Sequence, residues 1–297
     1  MGTTTRSRTA LHAAASRAAR RTAAPRAKLT EPAVGNGSPG RRARSQTIER
    51  AALVLTCFSA EEPQLGLADL AARLDLNAST VYRYVATLED AGLLVRNQRG
   101  GYRLGLRVIE LAGIALNQIE VRKHALDEMD RLCDQVSLLT NLAVLLDGDV
   151  LHLAHSAPKS VPRMYTALGR RAVAHCTSLG KALLAHRPWA ETRAAIERHG
   201  WRPYTRHSIA DFARLETELA AVRAQGYAID REERRVDVVC MAAPIRDRAG
   251  EVVAALSVSG SKTRMTESLR RRVLPRVIEA AARVSFRLGY QANAAYL

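Results

Sequence analysis

The segment Gly66–Leu104 decides the fold of the N-terminal region, and it reads GLADLAARLDLNASTVYRYVATLEDAGLLVRNQRGGYRL. Leu67, Leu70 and Leu74 recur at the spacing of one helical face, so the pattern predicts a short helix there. A turn at Asp75 separates this helix from a second apolar pattern. Two short helices joined by a tight turn are therefore expected.

The second helix has clear signals at both ends. Asn77 can accept a hydrogen bond from a free backbone N–H of the first turn, which is the role of an N-cap. Val81, Val85 and Leu88 follow at helical spacing and form the predicted buried stripe. Gly92 suits the left-handed conformation that commonly ends a helix. The side chains expected to project away from the stripe are Ser79, Thr80, Tyr82 and Arg83.

A β-hairpin, or wing, is predicted directly after the second helix. Two short apolar runs, Leu93–Val95 and Tyr102–Leu104, flank a loop with a Gly-Gly pair, and this is a hairpin signal. A helix-turn-helix presents the start of its second helix to the major groove, while arginines and hydroxyls hold the phosphates. We therefore predict DNA contacts from Ser79, Thr80, Tyr82, Arg83, Arg96 and Arg99. The alternative is a small helical subdomain with a solvated polar face.

The formal net charge of +16 is unevenly distributed over the 297 residues. Residues 1–44 hold ten Lys or Arg against one acidic residue, giving +9, while the remaining 253 residues hold +7. This Ala/Arg/Thr-rich segment has almost no large apolar residues, so we predict a disordered basic arm. The arm either adds non-specific, salt-sensitive DNA affinity or is an inert extension. Net charge alone does not locate a DNA-binding surface.

The cysteine and hydropathy patterns indicate a cytoplasmic protein. The four cysteines are far apart and show no paired metal-ligand spacing, which is typical of free thiols in a reducing compartment. No membrane-spanning segment and no secretion signal are expected. His152 and His155 are three residues apart on a predicted strand, so opposite faces are expected and no metal pair. We predict no metal and no cofactor.

The apolar and turn patterns of the C-terminal half predict an antiparallel α+β domain with helices over a sheet. Asp147-Gly148-Asp149 is a hairpin signal between two strands, and a helix is expected to start at Ser178. Its N-terminal N–H groups would suit a carboxylate. Lys181 is expected to be a solvated or structural lysine, and the charged run Arg231–Arg235 a solvated face. Candidate polar groups for a ligand pocket are Ser178, Asp230, Cys240, Ser257 and Ser259.

The chain resembles the IclR family of bacterial transcriptional regulators over nearly its whole length from Ser45. Besides the helix-turn-helix, the matching segments include TNLAVLLDGDVLHLAH, HCTSLGKALLA, AVRAQGYAIDREE and CMAAPIRDRAGEVVAALSVSG. The resemblance implies a GAF/PAS-like effector-binding domain and a dimer, or a tetramer built from dimers. It places in the effector cavity the residues Ser178, Leu179, Asp230, Cys240, Ser257 and Ser259, with Arg163 and Met164 in a loop that closes over it. Asp237 stands where the family usually has Gly, close to Cys240. A buried carboxylate there would disfavour an anionic ligand unless Arg234 or Arg235 paired with it.

The sequence thus predicts five segments. They are a basic arm (1–44), a winged helix-turn-helix (45–105), a linker helix (106–120), an effector-binding domain (121–290) and a tail (291–297). The linker helix has no place in a minimal winged helix, and it is expected to join the domains and to pair across a dimer.

We predict a regulator whose binding to a double-stranded DNA operator is modulated by a small metabolite, carboxylate or aromatic in character. The first alternative is a nucleoid protein that binds DNA without sequence preference through the basic arm. The second is an enzyme on the C-terminal domain. It lacks a coherent catalytic set, since His175 and Cys176 are adjacent on an extended chain and point to opposite faces. No catalytic residue is therefore proposed.

Overall fold

The structure is a computed structural model that describes residues 45–158 and 168–291. Its N-terminal part is a winged helix-turn-helix, in which three helices precede a two-stranded antiparallel wing. The elements are α1 (Gln46–Thr56), α2 (Leu67–Leu74), α3 (Ala78–Asp90), β1 (Leu94–Arg96) and β2 (Tyr102–Leu104).

One small apolar core holds the three helices and the wing together. Val54 of α1, Leu70 of α2 and Val81 of α3 are completely buried in it. The burial of Leu70 and Val81 agrees with the stripes predicted for α2 and α3. Leu65, just before α2, exchanges two backbone hydrogen bonds with Tyr102, at 3.0 and 2.8 Å. The wing is therefore fixed to the helical core, and its loop is presented at a defined place.

Helix α4 (Leu106–Asn117) follows the wing and buries none of its residues. Four large apolar side chains on it are each more than half exposed: Leu106, Ile109, Leu111 and Ile114. Helix α5 (Glu120–Val136), by contrast, buries a full apolar stripe that includes Ala125, Met129 and Leu132. Within the described residues, α4 thus exposes large apolar side chains that no other part of the chain covers.

The C-terminal part is built on a six-stranded antiparallel sheet with strand order β5-β4-β3-β8-β7-β6. Asp147 and Gly148 both have positive φ (52° and 87°) between β3 and β4, as a two-residue hairpin turn requires. The strands are β3 (Leu139–Leu146), β4 (Asp149–Ser156), β5 (Arg171–Val173), β6 (Ala228–Arg231), β7 (Val238–Arg246) and β8 (Val252–Ser261). Strand β5, only three residues long, has no counterpart among the predicted elements.

Helices cover both faces of this sheet. Leu256 and Val258 of β8 face a core formed with α5 and α9, whereas Ala255 faces a second core formed with α6 and α8. This alternation is the period-2 pattern of a strand that is buried on both sides. The remaining helices are α6 (Ser178–Leu184), α7 (Trp189–His199), α8 (Phe212–Gln225) and α9 (Glu267–Arg287). The predicted α+β class is confirmed, and the sheet is the middle one of three layers.

A β-bulge in β4 corrects one prediction. His155 pairs with Asn141 and His152 pairs with Ala143, so the irregularity at Leu153 places both histidines on the same face of the sheet. The expectation of opposite faces was wrong because an inserted residue shifts the alternation of side chains along the strand.

In the part of the chain that the structure describes, none of the helices combines the length and the apolar character of a membrane-spanning segment.

An aromatic cluster stands beside the second core. Trp189 and Trp201 both contact Phe212 edge-on, at ring-centroid distances of 5.9 and 4.9 Å. His175 packs edge-on against Trp201 at 5.0 Å. Arg193 lies over the Phe212 ring at 4.9 Å. The cluster therefore connects α7 and α8 to the segment that leads into α6.

Candidate functional site

The start of α3 is rigid and its outer face is open. Asn77 caps the helix, as predicted: its Oδ1 accepts hydrogen bonds from the Thr80 N–H (2.8 Å) and the Ser79 hydroxyl (2.9 Å). Tyr82 is 54% exposed, and Arg83 is also exposed. Neither side chain forms a hydrogen bond or ion pair within the described part of the chain. This helix start can therefore present hydroxyls, a phenol and a guanidinium to a DNA groove.

The wing loop is organised by a residue that the sequence analysis missed. Asn97 Oδ1 accepts backbone hydrogen bonds from Arg99 and Gly101, both at 2.9 Å, and so closes the loop as an Asx turn does. Arg99 is exposed at the loop, while the Arg96 guanidinium lies 5.8 Å from the centroid of the Tyr102 ring. Arg99 is thus the freer of the two arginines for a phosphate contact.

Five polar side chains share one face of the large sheet. The β-sheet register pairs Asp230 with Cys240 and Cys240 with Ser259. Ser257 pairs with Asn141 in the next row of the same face, and the Asn141 amide lies 3.4 Å from Ser259 Oγ. The structure therefore brings together four of the predicted effector residues and adds Asn141, which the sequence analysis did not name.

Helix α6 begins over this face at Ser178, as predicted. Thr177 is its N-cap, and the Thr177 hydroxyl accepts the Gly180 N–H at 3.1 Å. Ser178 and Leu179 are 1% and 5% exposed. A Cβ on Gly180 would lie 2.2 Å from the Ala174 carbonyl oxygen, so only glycine permits this close approach. The N-terminus of α6 is thus held against the sheet, with Ser178 and Leu179 inside.

The polar face is electrically neutral or weakly acidic near pH 7. Asp230 is 2% exposed, and burial raises its pKa to about 7 although the Glu233 N–H donates to its Oδ1 at 2.7 Å. Burial also raises the pKa of the Cys240 and Cys176 thiols to about 12. Both sulfurs therefore stay protonated, which argues against a thiolate nucleophile here.

A buried ion cluster lies on the same side of the sheet as this face, between α6 and α8. The Lys181 ammonium is completely buried and donates to Glu218 (2.8 Å), Glu233 (2.6 Å) and the Ile229 carbonyl (2.7 Å). Lys181 is therefore structural. The expectation that the run Arg231–Arg235 forms a solvated face was wrong for its two glutamates, which are buried. One of them pairs with Lys181, and Lys262 pairs with the other at 2.6 Å.

The predictions for three further residues of the expected effector site, Asp237, Arg163 and Met164, have different outcomes. Asp237 is exposed with φ of 63°, so it occupies a left-handed position that favours glycine. Its carboxylate is not buried beside the ligand face, and the concern about ligand charge loses its basis. Arg163 and Met164 lie outside the described residues, and their predicted role stays a prediction.

A winged helix-turn-helix joined to a domain with a buried polar sheet face defines a DNA-binding protein with a separate ligand-sensing part. Residues 47–98 match the family described as the IclR helix-turn-helix domain, and residues 113–286 match the bacterial transcriptional regulator IclR C-terminal family. The chain belongs to the IclR family of transcriptional regulators. It accordingly has an N-terminal DNA-binding domain and a C-terminal effector-binding domain.

The similar proteins agree with this assignment. The transcriptional regulator XynR of Escherichia coli K12 is 29% identical over 83% of this chain and 98% of its own length. The regulator KdgR of Dickeya chrysanthemi is 30% identical over 77% of this chain and 76% of its own. An IclR homologue from Microbacterium hydrocarbonoxydans, solved with 4-hydroxybenzoate, is 26% identical with a TM-score of 0.71, covering 82% of this chain and 98% of its own.

Proposed function

We propose that this protein is a dimeric or tetrameric regulator whose operator affinity changes when a small metabolite binds between the polar sheet face and the N-terminus of α6. The observation that carries the proposal is the polar row Asp230, Cys240 and Ser259, which lies under a helix start and beside the second apolar core. Ligand sites are typically apolar with a few convergent polar groups. The proposed effector contacts are Arg163, Met164, Ser178, Leu179, Asp230, Cys240, Ser257 and Ser259, with Asn141 added.

The effector we propose carries a carboxylate, an aromatic ring, or both. The first N–H groups of α6 are suited to a carboxylate, apart from that of Gly180, which Thr177 already occupies. The hydroxyls and the thiol of the sheet face suit hydroxyl groups of a ligand. The Microbacterium homologue bound a compound of this class, 4-hydroxybenzoate, which supports the choice. An ionised Asp230 would repel an anionic effector, so binding should strengthen as Asp230 becomes protonated.

The exposed apolar side chains of α4 support a dimer, in which α4 would pair with the same helix of a second copy of the chain. Helix α4 exposes four large apolar side chains within twelve residues, and exposed apolar surface of this extent is typical of an interaction site. In a dimer, two α3 helices would address half-sites about 34 Å apart along B-DNA. An effector that favours one arrangement of the C-terminal domains would change that separation. Effector and DNA would then alter each other's affinity reciprocally.

The DNA contacts we propose are those expected from the sequence: Ser79, Thr80, Tyr82, Arg83, Arg96 and Arg99. Their support is the exposed, capped start of α3 and the exposed wing loop. We further propose that the protein works in the cytoplasm at the nucleoid, where its DNA is, and that it carries out no catalysis.

The experiment compares binding to DNA upstream of the protein's own gene with binding to random DNA of equal length. It is run at about 50 and 200 mM salt, with and without a panel of hydroxylated aromatic acids that starts with 4-hydroxybenzoate. A specific complex that survives the higher salt and changes with one of these acids supports the regulator. Equal affinity for both DNAs, lost at higher salt, would instead support non-specific binding by the basic arm.

Matched variants assign the effect to the proposed sites. Ser257→Ala should abolish the response to the acid while leaving operator affinity intact, because it changes only the ligand face. Ser261→Ala, on the same strand but exposed beyond the polar row, is the control and should respond normally. Ile109→Asp should reduce the dimer in analytical ultracentrifugation, whereas Glu110→Gln on the same helix should not.

A further inference from the structure

A surface groove borders the buried ion cluster, and Glu218 and Glu233 of that cluster line it. It is a groove of about 550 Å³ between α8, the segment around His207 and Ile209, and the end of β6. This volume is within the range of small-molecule sites. Nothing in the proposed effector mechanism uses the groove.

The groove contains an unsatisfied acceptor. Glu233 lines it and is 6% exposed, and its Oε2 has no hydrogen-bond partner among the described residues. Its other oxygen is held by Lys181, which also pairs with Glu218. One lysine against two carboxylates leaves one excess negative charge when both glutamates are ionised. A buried, unpaired carboxylate oxygen is costly and would gain from a cationic N–H donor.

The same groove has two cationic groups without a side-chain partner in the part of the chain that the structure describes. Arg214 and Arg231 line it, and neither guanidinium forms an ion pair or hydrogen bond in the described ranges. Arg231 and Glu233 are two residues apart, which limits their Cα atoms to about 7 Å. A small ligand with an ammonium group and a carboxylate close together could therefore pair with Glu233 and Arg231 at the same time.

Small side chains of α8 line one part of the groove. Ala213, Thr217 and Ala221 recur every four residues along one side of this helix, and the buried Ile209 also lines the groove. Small side chains on the helix leave room for a short aliphatic group.

We propose that this groove binds a free α-amino acid with an aliphatic side chain, its ammonium group at Glu233 and its carboxylate at Arg231 and Arg214. The site is separate from the effector site and does not depend on the role assigned to that site. Glu233 also donates its backbone N–H to Asp230 on the polar sheet face. A ligand bound at Glu233 would therefore contact a residue that is itself hydrogen-bonded to a proposed effector residue.

Isothermal titration calorimetry on the full chain tests the proposal, with L-leucine, L-valine and L-methionine as probes up to about 10 mM. At least one should bind. The leucine fragments 4-methylpentanoate and 3-methylbutylamine should each bind about tenfold more weakly or worse, because each lacks one charge-assisted hydrogen bond. No heat with any of the three amino acids, or fragments that bind as well as leucine, would overturn the proposal.

Variants distinguish this groove from any other binding place. Arg231→Gln should weaken amino-acid binding about tenfold. Arg235→Gln, in the same charged run but outside the groove, should leave it unchanged. Thr217→Leu should fill the groove and also weaken binding. Both altered positions are exposed, so the fold is retained. Unchanged binding in Arg231→Gln and Thr217→Leu would place the amino acid elsewhere and refute the assignment.

Discussion

Replacing Asp230 by Asn should remove a pH-dependent loss of stability that arises from burial of this carboxyl group. The pKa of Asp230 is raised from 3.8 to about 7, with burial the largest cause. In the unfolded chain the group loses its proton near pH 4, whereas in the folded chain it keeps the proton until about pH 7. The free energy of unfolding therefore falls as pH rises between these two values and is constant above them.

The size of the effect follows from the same shift. About three pKa units at 1.36 kcal/mol each correspond to ~4 kcal/mol over the whole window, of which about 3 kcal/mol falls between pH 5 and pH 8. Asn keeps an oxygen that can accept the Glu233 N–H, so the variant removes the charge and little else. The variant should gain stability relative to the native chain as pH rises, up to this amount.

Urea unfolding of both proteins at several values between pH 5 and pH 8 measures the effect. Burial lowers the pKa of His152, His175 and His186 to about 4, so these groups make both proteins less stable as pH falls below about 6.5. Because they are common to both chains, their contribution cancels in the difference. A difference that stays constant within about 1 kcal/mol from pH 5 to pH 8 would refute the reasoning on Asp230.

Three further substitutions test other parts of the structure. Asn77→Ala should cost about 1 kcal/mol of stability, since it removes the cap of α3, and a lower urea midpoint of the N-terminal transition would report it. Lys181→Met should lower the free energy of unfolding by about 3–5 kcal/mol, because Glu218 and Glu233 lose their buried partner. Calorimetry should show a lowered Tm, and an unchanged Tm would contradict the assignment of a buried ion cluster. Arg83→Ala should weaken operator binding by about 1–3 kcal/mol if the guanidinium reads a guanine, and equal losses on random DNA in a gel-shift assay would restrict it to phosphate contact.

The local features of the fold could be read from the sequence. The Asn77 cap, the positive-φ glycine Gly92 and the Asp147-Gly148 turn each depend on residues within a few positions, and the structure has all of them. The strand β5 is too short to show a period, and its assignment depends on pairing with β4. Caps and turns that depend on neighbouring residues were therefore predictable from the sequence, whereas the pairing of strands across the sheet was not.

The residues of the candidate site also separate into those that local sequence predicts and those that depend on distant parts of the chain. Alternation along β8 correctly placed Ser257 and Ser259 on one face, because a strand's period needs no partner. Asn141 joins them only through the register of a strand more than a hundred residues earlier in the chain. Burial of Glu233 depends on Lys181 approaching from another element, which no pattern within a charged run reveals.

The aromatic cluster beside α6 has a practical consequence for spectroscopy. The chain has only two tryptophans, and both, Trp189 and Trp201, stand in this cluster of the effector-binding domain. Excitation selective for indole therefore reports on this domain alone, while the winged helix contributes no signal. The edge-on contact of His175 with Trp201 makes that emission sensitive to movement of the segment leading into α6. The native protein thus contains its own optical probe of the effector-binding domain and needs no label.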